Sequence, residues 1–221
     1  MSREMKHIGI RWIGEIPKEW NVLQLKRLKD KSHPYPIGDG DHGSIKPEDY
    51  IDKGIPYIRV QNMTWGGDML LDNIVYISEE VNAKNLKSEL HPMDILIAKT
   101  GATIGKTAIV PDNMPKANTT SSVAKVTISK QHWYKYVFYV LGSEVCITQM
   151  WLKAQQKSAQ PGVNIEELGD FILPIWHNIT PERANEFSPM LSDAIALKSS
   201  DYTQAEIADL FVEKLNYDNN G

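Results

Sequence analysis

Apolar residues in this chain come in short runs, each broken within a few positions by glycine, proline, asparagine or aspartate. Runs of about four to eight residues suit strands and are too short for the helices of a bundle. The clearest are 55–61, entered at Pro56, then 73–77, 94–99 and 122–128. Residues 103–104 and 106–110 read as a hairpin around Gly101 and Gly105. Residues 21–29 follow a turn at Pro17–Trp20, and their apolar positions Val22, Leu23, Leu25 and Leu28 fit either strand or helix. Ser78 before Glu79 and Glu80 predicts a capped helix over 78–85. Residues 133–141 and 143–154 suit a pair of helices, and 166–170 a helical turn before the apolar run 171–175. Segments 34–43, 64–68 and 155–163 read as loops. With no internal repeat, the pattern predicts an α+β domain of short strands, mixed and antiparallel, over residues 1–177.

Beyond Trp176 the pattern changes. Ser188-Pro189 marks a helix start, and Met190, Leu191, Ala194, Ile195 and Leu197 recur at helical spacing. Ser200-Asp201 restarts a helix carrying Ile207, Leu210, Phe211 and Leu215. Between Asn178 and Gly221 there are 3 basic and 8 acidic residues, so this segment carries −5 of a total of −4 and leaves the rest at +1. Residues 178–221 thus read as an acidic C-terminal helical extension whose apolar stripe needs something to cover it.

Several chemistries find no support. Gly101-Ala-Thr-Ile-Gly-Lys-Thr107 imitates a phosphate loop, but three residues rather than four separate its glycines, and the strand-like Ala-Ile-Val-Pro follows where a helix should open. Cys146, the sole cysteine, lies in an apolar run with no His or Lys beside it, which fits a small buried hydrophobe better than a nucleophile. The six histidines show no metal-ligand spacing, and Asp39, Asp41 and His42 suit an aspartate-stabilised turn. No apolar stretch approaches a membrane span, and residues 1–12 mix charge with short apolar runs, unlike a secretory leader. The expected compartment is the cytoplasm, and the chain is expected not to be an enzyme.

The segment Gly9–Leu28, with Trp12-Ile-Gly-Glu-Ile-Pro17 and Trp20, resembles the opening of specificity subunits of type I restriction-modification systems. Further resemblances follow in that family's order. They are Asp39-Gly-Asp-His-Gly43 with Pro47, Gly54–Asn62, Asp94–Lys106 with Met93 where glycine is usual, and Gln160-Pro-Gly-Val-Asn164 with Leu168 and Ile172-Leu-Pro174. The chain departs from the family at Trp176–Glu182, where a glutamate-glutamine box is usual, and no second recognition domain follows. It therefore looks like a half-subunit or an excised half, with a single target-recognition domain.

The resemblance implies a domain that reads double-stranded DNA for a methyltransferase subunit and a restriction-translocase subunit. It implies no cofactor in this chain, with S-adenosylmethionine, ATP and Mg used by the partners. A recognition module of a type II system, or a protein-binding scaffold or inhibitor that kept the fold without DNA readout, is the alternative. DNA readout needs cations for phosphates and amide, hydroxyl or cationic groups for base edges. The loops offer Asp41, His42, Ser44 and Lys46; Arg59, Gln61 and Asn62; Lys99, Thr100, Thr103 and Lys106; Thr119 and Thr120; and Gln156, Lys157, Gln160 and Asn164. In the extension, Met190, Leu191, Ile195, Ile207, Leu210, Phe211 and Leu215 are expected to meet a second copy of the chain or the methyltransferase subunit. If a second copy covers that stripe, light scattering of the full chain shows a concentration-dependent dimer that deletion of 178–221 abolishes. A monomer in both forms at every concentration overturns the pairing.

Overall fold

The computed structural model describes residues 4–10, 13–40, 45–156 and 161–175. The expected extension over 178–221 lies outside them. In chain order the strands and helices are β1 (Met5–His7), β2 (Glu15–Pro17), β3 (Asn21–Gln24), α1 (Leu25–Leu28), β4 (Ile37–Asp39), β5 (Ile55–Ile58), β6 (Val75–Ile77), α2 (Glu79–Ala83), β7 (Glu89–Leu90), β8 (Ile95–Ala98), β9 (Thr107–Ile109), β10 (Ala117–Thr119), β11 (Val123–Val126), α3 (Tyr134–Leu141), α4 (Glu144–Ala154), α5 (Ile165–Gly169) and β12 (Ile172–Ile175).

These strands form two four-stranded sheets and two ribbons. One sheet has the order β6-β5-β10-β7 and the other β4-β11-β8-β9, while β1 pairs with β2 and β12 with β3. The β5–β10 pair is parallel, and the other ladders are antiparallel. The domain is therefore the α+β mixture of short, mainly antiparallel strands that the punctuation predicts.

The ambiguous segment 21–29 turns out to be both things. It is strand through Gln24 and helix from Leu25, where the backbone N–H of Leu25 donates to the Phe171 carbonyl at 2.9 Å. The hairpin differs from expectation. Its arms are β8 and β9, with Ile95 opposite Ile109 and Ile97 opposite Thr107, and residues 101–103 form a 3-10 turn between them. The helix caps follow the sequence. The Ser78 hydroxyl accepts from the Val81 N–H at 3.2 Å, and Ser143 stands at the N-cap of α4.

Every residue of β8 and β11 is buried. Alternation along β8 sends Ile95 and Ile97 into a core with Leu25, Leu28, Val137, Leu141, Met150 and Leu173, and sends Leu96 the other way. Leu96 joins Ile58, Leu90, Val110 and Val123 between the two sheets. The result is three layers, with helices on one face of the β4-β11-β8-β9 sheet and the second sheet on the other. Each aliphatic side chain so enclosed contributes about 1.5–3 kcal/mol. Trp20 also serves packing, lying edge-on to Tyr136 with ring centroids 6.1 Å apart.

One end of this assembly holds a buried polar network. The Lys125 and Asp94 side chains are both fully enclosed, with Nζ 3.7 Å from Oδ2. The Thr127 hydroxyl lies between them, 3.3 Å from Lys125 Nζ and donating to Asp94 Oδ1 at 2.7 Å, while the His91 backbone N–H donates to Asp94 Oδ2 at 3.0 Å. From Glu89 the chain of contacts continues through Asn82 to Asn118, with Nδ2 of Asn82 donating to Glu89 Oε2 at 2.7 Å and Nδ2 of Asn118 donating to Asn82 Oδ1 at 2.8 Å. Burial pushes the Lys125 amine below its ordinary range, and Asp94 opposes that shift. Removing one member of an enclosed pair leaves the other charge uncompensated, so Asp94→Ala should lower the unfolding free energy by about 3–5 kcal/mol in a urea titration. The double change Asp94→Asn with Lys125→Met should recover most of that loss, and failure to recover it would show that the pair does more than satisfy itself.

Candidate nucleic-acid interface

The far ends of both sheets come together. In one sheet Asp39, Val123, Ala98 and Thr107 stand at a common end, set by the pairs Ala124–Asp39, Val123–Ala98 and Ile97–Thr107. In the other, Ile58 pairs with Thr119 and Tyr57 with Val75. Only residues 120–122 separate β10 from β11, so the two ends are adjacent. The loops leaving them are bonded to one another. The Gly40 N–H donates to the Thr120 carbonyl at 3.2 Å, Lys99 N–H to Ser122 at 2.9 Å, Gly101 N–H to Pro161 at 3.0 Å and Val163 N–H to Lys99 at 2.9 Å. Gly40 is required here, because a Cβ would run into the Thr119 carbonyl and the Thr120 backbone.

Segments far apart in sequence, near 40, 59–62, 99–106, 120–122 and 161–163, thus share one end of the molecule. The structure then separates the expected contact residues into those the fold uses and those it leaves outward. Asn62 is enclosed. Its Oδ1 accepts from the Arg59 N–H at 3.0 Å and its Nδ2 donates to the Leu70 carbonyl at 3.1 Å. The Thr119 hydroxyl is buried and donates to the Ile58 carbonyl at 2.8 Å, tying β10 to β5. Arg59 donates through Nη2 to the Asn73 carbonyl at 3.0 Å and lies over the Tyr50 ring. Asn164 caps α5, accepting from the Glu167 N–H at 2.8 Å.

Lys99 differs most from expectation. Its side chain is only 5% exposed, and Nζ lies 3.0 Å from Oδ2 of Asp39. This ion pair holds the hairpin against the end of β4, so the Lys99 ammonium is turned to a carboxylate beneath the loops. For Asn62, Thr119, Arg59, Asn164 and Lys99, residue type suggested recognition while the fold engages the same atoms internally.

The outward set is Lys46, Gln61, Thr100, Thr103, Lys106, Thr120 and Gln156, all exposed or half-buried. Lys46 Nζ lies 3.7 Å from Glu48 at the surface. Thr103 donates its hydroxyl to the Thr100 carbonyl at 3.2 Å, and Lys106 donates to the Met63 carbonyl at 3.0 Å. Asp41, His42, Ser44, Lys157 and Gln160 lie outside the described residues, as do Met190, Leu191, Ile195, Ile207, Leu210, Phe211 and Leu215. One surface residue escaped the sequence reading. Trp65 is 48% exposed and stands 5.6 Å from Lys106 Nζ. The available signal was a large aromatic directly before Gly66-Gly67 in a turn.

The site holds no phosphate loop, because Gly101–Thr103 is a 3-10 turn and β9, not a helix, follows. Burial pushes the Cys146 thiol up to about 12, consistent with a packing role. Among the described residues no cluster of three metal-ligating side chains occurs, and no helix is long and apolar enough to cross a membrane.

No family model matches the chain. Over 164 residues it is 26% identical to the EcoBI specificity subunit of Escherichia coli, a type I restriction enzyme component, covering 72% of this chain and 32% of that protein. Over 200 residues it is 24% identical to the MjaVIII type I specificity subunit of Methanocaldococcus jannaschii, covering 89% of this chain and 45% of the relative. The chain is thus similar in sequence to type I specificity subunits. It spans a third to a half of the length of those two relatives. Its fold matches 98% of the chain to the HsdS subunit of Thermoanaerobacter tengcongensis, with a TM-score of 0.55 at 16% identity and 48% of that chain covered. A chain from a structure of type I system assembly and conformational transition gives a TM-score of 0.57 at 16% identity, with 98% of this chain and 49% of that one covered.

Lys99 and Gln61 separate support from surface. Lys99→Ala strands Asp39 beneath the loops and should lower stability by about 3 kcal/mol in chemical denaturation. Gln61→Ala should stay within about 0.5 kcal/mol of the parent. Equal effects would show that the Asp39–Lys99 pair is not a support.

Proposed function

We propose that this chain reads the sequence of double-stranded DNA and directs the methyltransferase and restriction subunits of a type I system to their target. The observation that carries the reading is the convergence of five loop segments on one end of the two sheets, in a chain similar in sequence to type I specificity subunits. Such a surface pairs a rigid platform with outward amide, hydroxyl and ammonium groups, which is what base-edge and phosphate recognition needs. Lys46 and Lys106 are assigned to phosphates, and Gln61, Thr100, Thr103, Thr120 and Gln156 to base edges or sugar. Asp41, His42, Ser44, Lys157 and Gln160 are assigned to the same contact set by residue type alone.

In this reading the chain performs no chemistry. Methyl transfer from S-adenosylmethionine and ATP- and Mg-dependent cleavage belong to the partner subunits. A single recognition domain reads one half of a bipartite target, and a second copy joined through the extension would supply the other half and its spacing. The network end around Lys125, opposite the loops, is left free of DNA.

The test is selection from randomised duplexes at two salt concentrations, with the cognate methyltransferase subunit present and absent. Enrichment of one short motif, bound with strongly salt-dependent affinity, is the expected result. A split or palindromic motif would report two assembled copies. If no motif emerges with the partner present, sequence readout is wrong and a protein-binding role takes its place.

A further inference from the structure

We propose that Trp65 and Lys106 form a preset duplex contact, with the indole set against a base or sugar and the ammonium against the neighbouring phosphate. This rests on the DNA-recognition reading above and assigns a contact residue, Trp65, that the residue types expected for DNA readout did not include.

The turn that carries Trp65 is held at both sides. Thr64 N–H donates to the Asp68 carbonyl at 3.0 Å, Asp68 N–H donates to the Thr64 hydroxyl at 3.0 Å, and a Met63–Met69 bridge closes the base. Gly67 takes φ +91 and sits so close to the Phe138 ring that a Cβ there would overlap it, so the turn is seated on α3. Trp65 occupies the corner, and the turn keeps 48% of this large side chain in solvent. Leu70 and Leu71 are exposed beside it in sequence, at 49% and 48%. A rigid, exposed indole already ordered in the free chain loses little conformational entropy on contact.

Lys106 makes the patch specific for an anion. Its ammonium carries three protons. One goes to the Met63 carbonyl at 3.0 Å, and the Trp65 ring lies 5.6 Å away. Among the described residues no carboxylate pairs with it, in contrast to Lys99, which Asp39 neutralises at 3.0 Å. The positive charge is therefore fixed in place, uncompensated and next to an aromatic surface. An apolar ring with an adjacent bare cation matches the chemistry of one nucleotide, a stacking or sugar surface beside a phosphate. A purely apolar protein surface would use the indole and leave the ammonium unpaired.

The experiment measures binding of the selected duplex by fluorescence anisotropy at several salt concentrations, for the full chain and for Trp65→Ala, Trp65→Phe and Lys106→Met, with melting curves to check folding. Trp65→Ala should weaken binding roughly tenfold with the salt slope unchanged. Trp65→Phe should stay within about threefold, because it keeps a ring. Lys106→Met should weaken binding and reduce the salt slope by about one. If the parent selects a motif and Trp65→Ala and Lys106→Met bind it equally well, the contact is refuted while sequence readout stands. Unchanged duplex affinity with lost capture of the methyltransferase subunit would place the patch in a protein interface and refute the contact too. If the parent selects no motif, both readings fall together.

Discussion

Strand β8 is buried on both faces, and the positions of the converging loops follow from that. Ile95 and Ile97 belong to the helix-side core and Leu96 to the core between the sheets. A one-residue slip would exchange these sets and set branched side chains against the wrong layer, so the register with β11 and β9 is strongly specified. Because β8 and β9 are the two arms of the hairpin, fixing their register fixes the height of residues 99–106 above the sheet. Residues 120–122 and the Gly40 backbone are then bonded at that same height.

The two hairpin lysines show how burial changes what a residue can do. Lys99 is enclosed with Asp39, and an enclosed charge needs a close partner because desolvation is costly. Its charge is thereby cancelled at short range. Lys106 lies seven positions later on the other arm, with a carbonyl and an aromatic ring as its neighbours. Neither neighbour cancels its charge. The same residue type thus supplies a support in one place and, in the other, a cation that no carboxylate pairs among the described residues.

At the opposite end of the β4-β11-β8-β9 sheet, Lys125 and Asp94 are enclosed with Thr127, and further contacts run from Glu89 through Asn82 to Asn118 in the other sheet. Members come from β7, β10, β11, the start of β8 and α2. Such a network is satisfied in one arrangement of these elements, and a shifted strand would leave polar atoms orphaned. Apolar packing and polar satisfaction therefore select the same register from opposite ends, and the loop end inherits a rigid base.

The sequence by itself determined most of the element types, but the stretch 34–43, read as a loop, holds strand β4 (Ile37–Asp39), whose pairing with β11 is a contact between distant segments. Short punctuated runs became strands, Ser78 marked a helix start, and the glycine-containing stretches 64–68 and 101–105 became connections, because these are local preferences of backbone and side chain. The segment 21–29 stayed ambiguous because four apolar positions suit either period, and the Phe171 carbonyl, 146 residues from Leu25, accepts the first N–H of its helical turn. The opening tryptophan-rich segment and the motifs after it were enough to place the chain beside the specificity subunits. What only the tertiary structure decided was which residues of each loop face outward. Asn62, Thr119, Arg59 and Lys99 have the right chemistry for DNA, but their atoms are engaged by partners 1 to 61 positions away that composition does not reveal. Trp65 carries no recognition signal by residue type, and only the turn seated on Phe138 leaves it exposed beside Lys106. Burial and pairing are properties of contacts between distant segments, and those exist only once the sheets have closed.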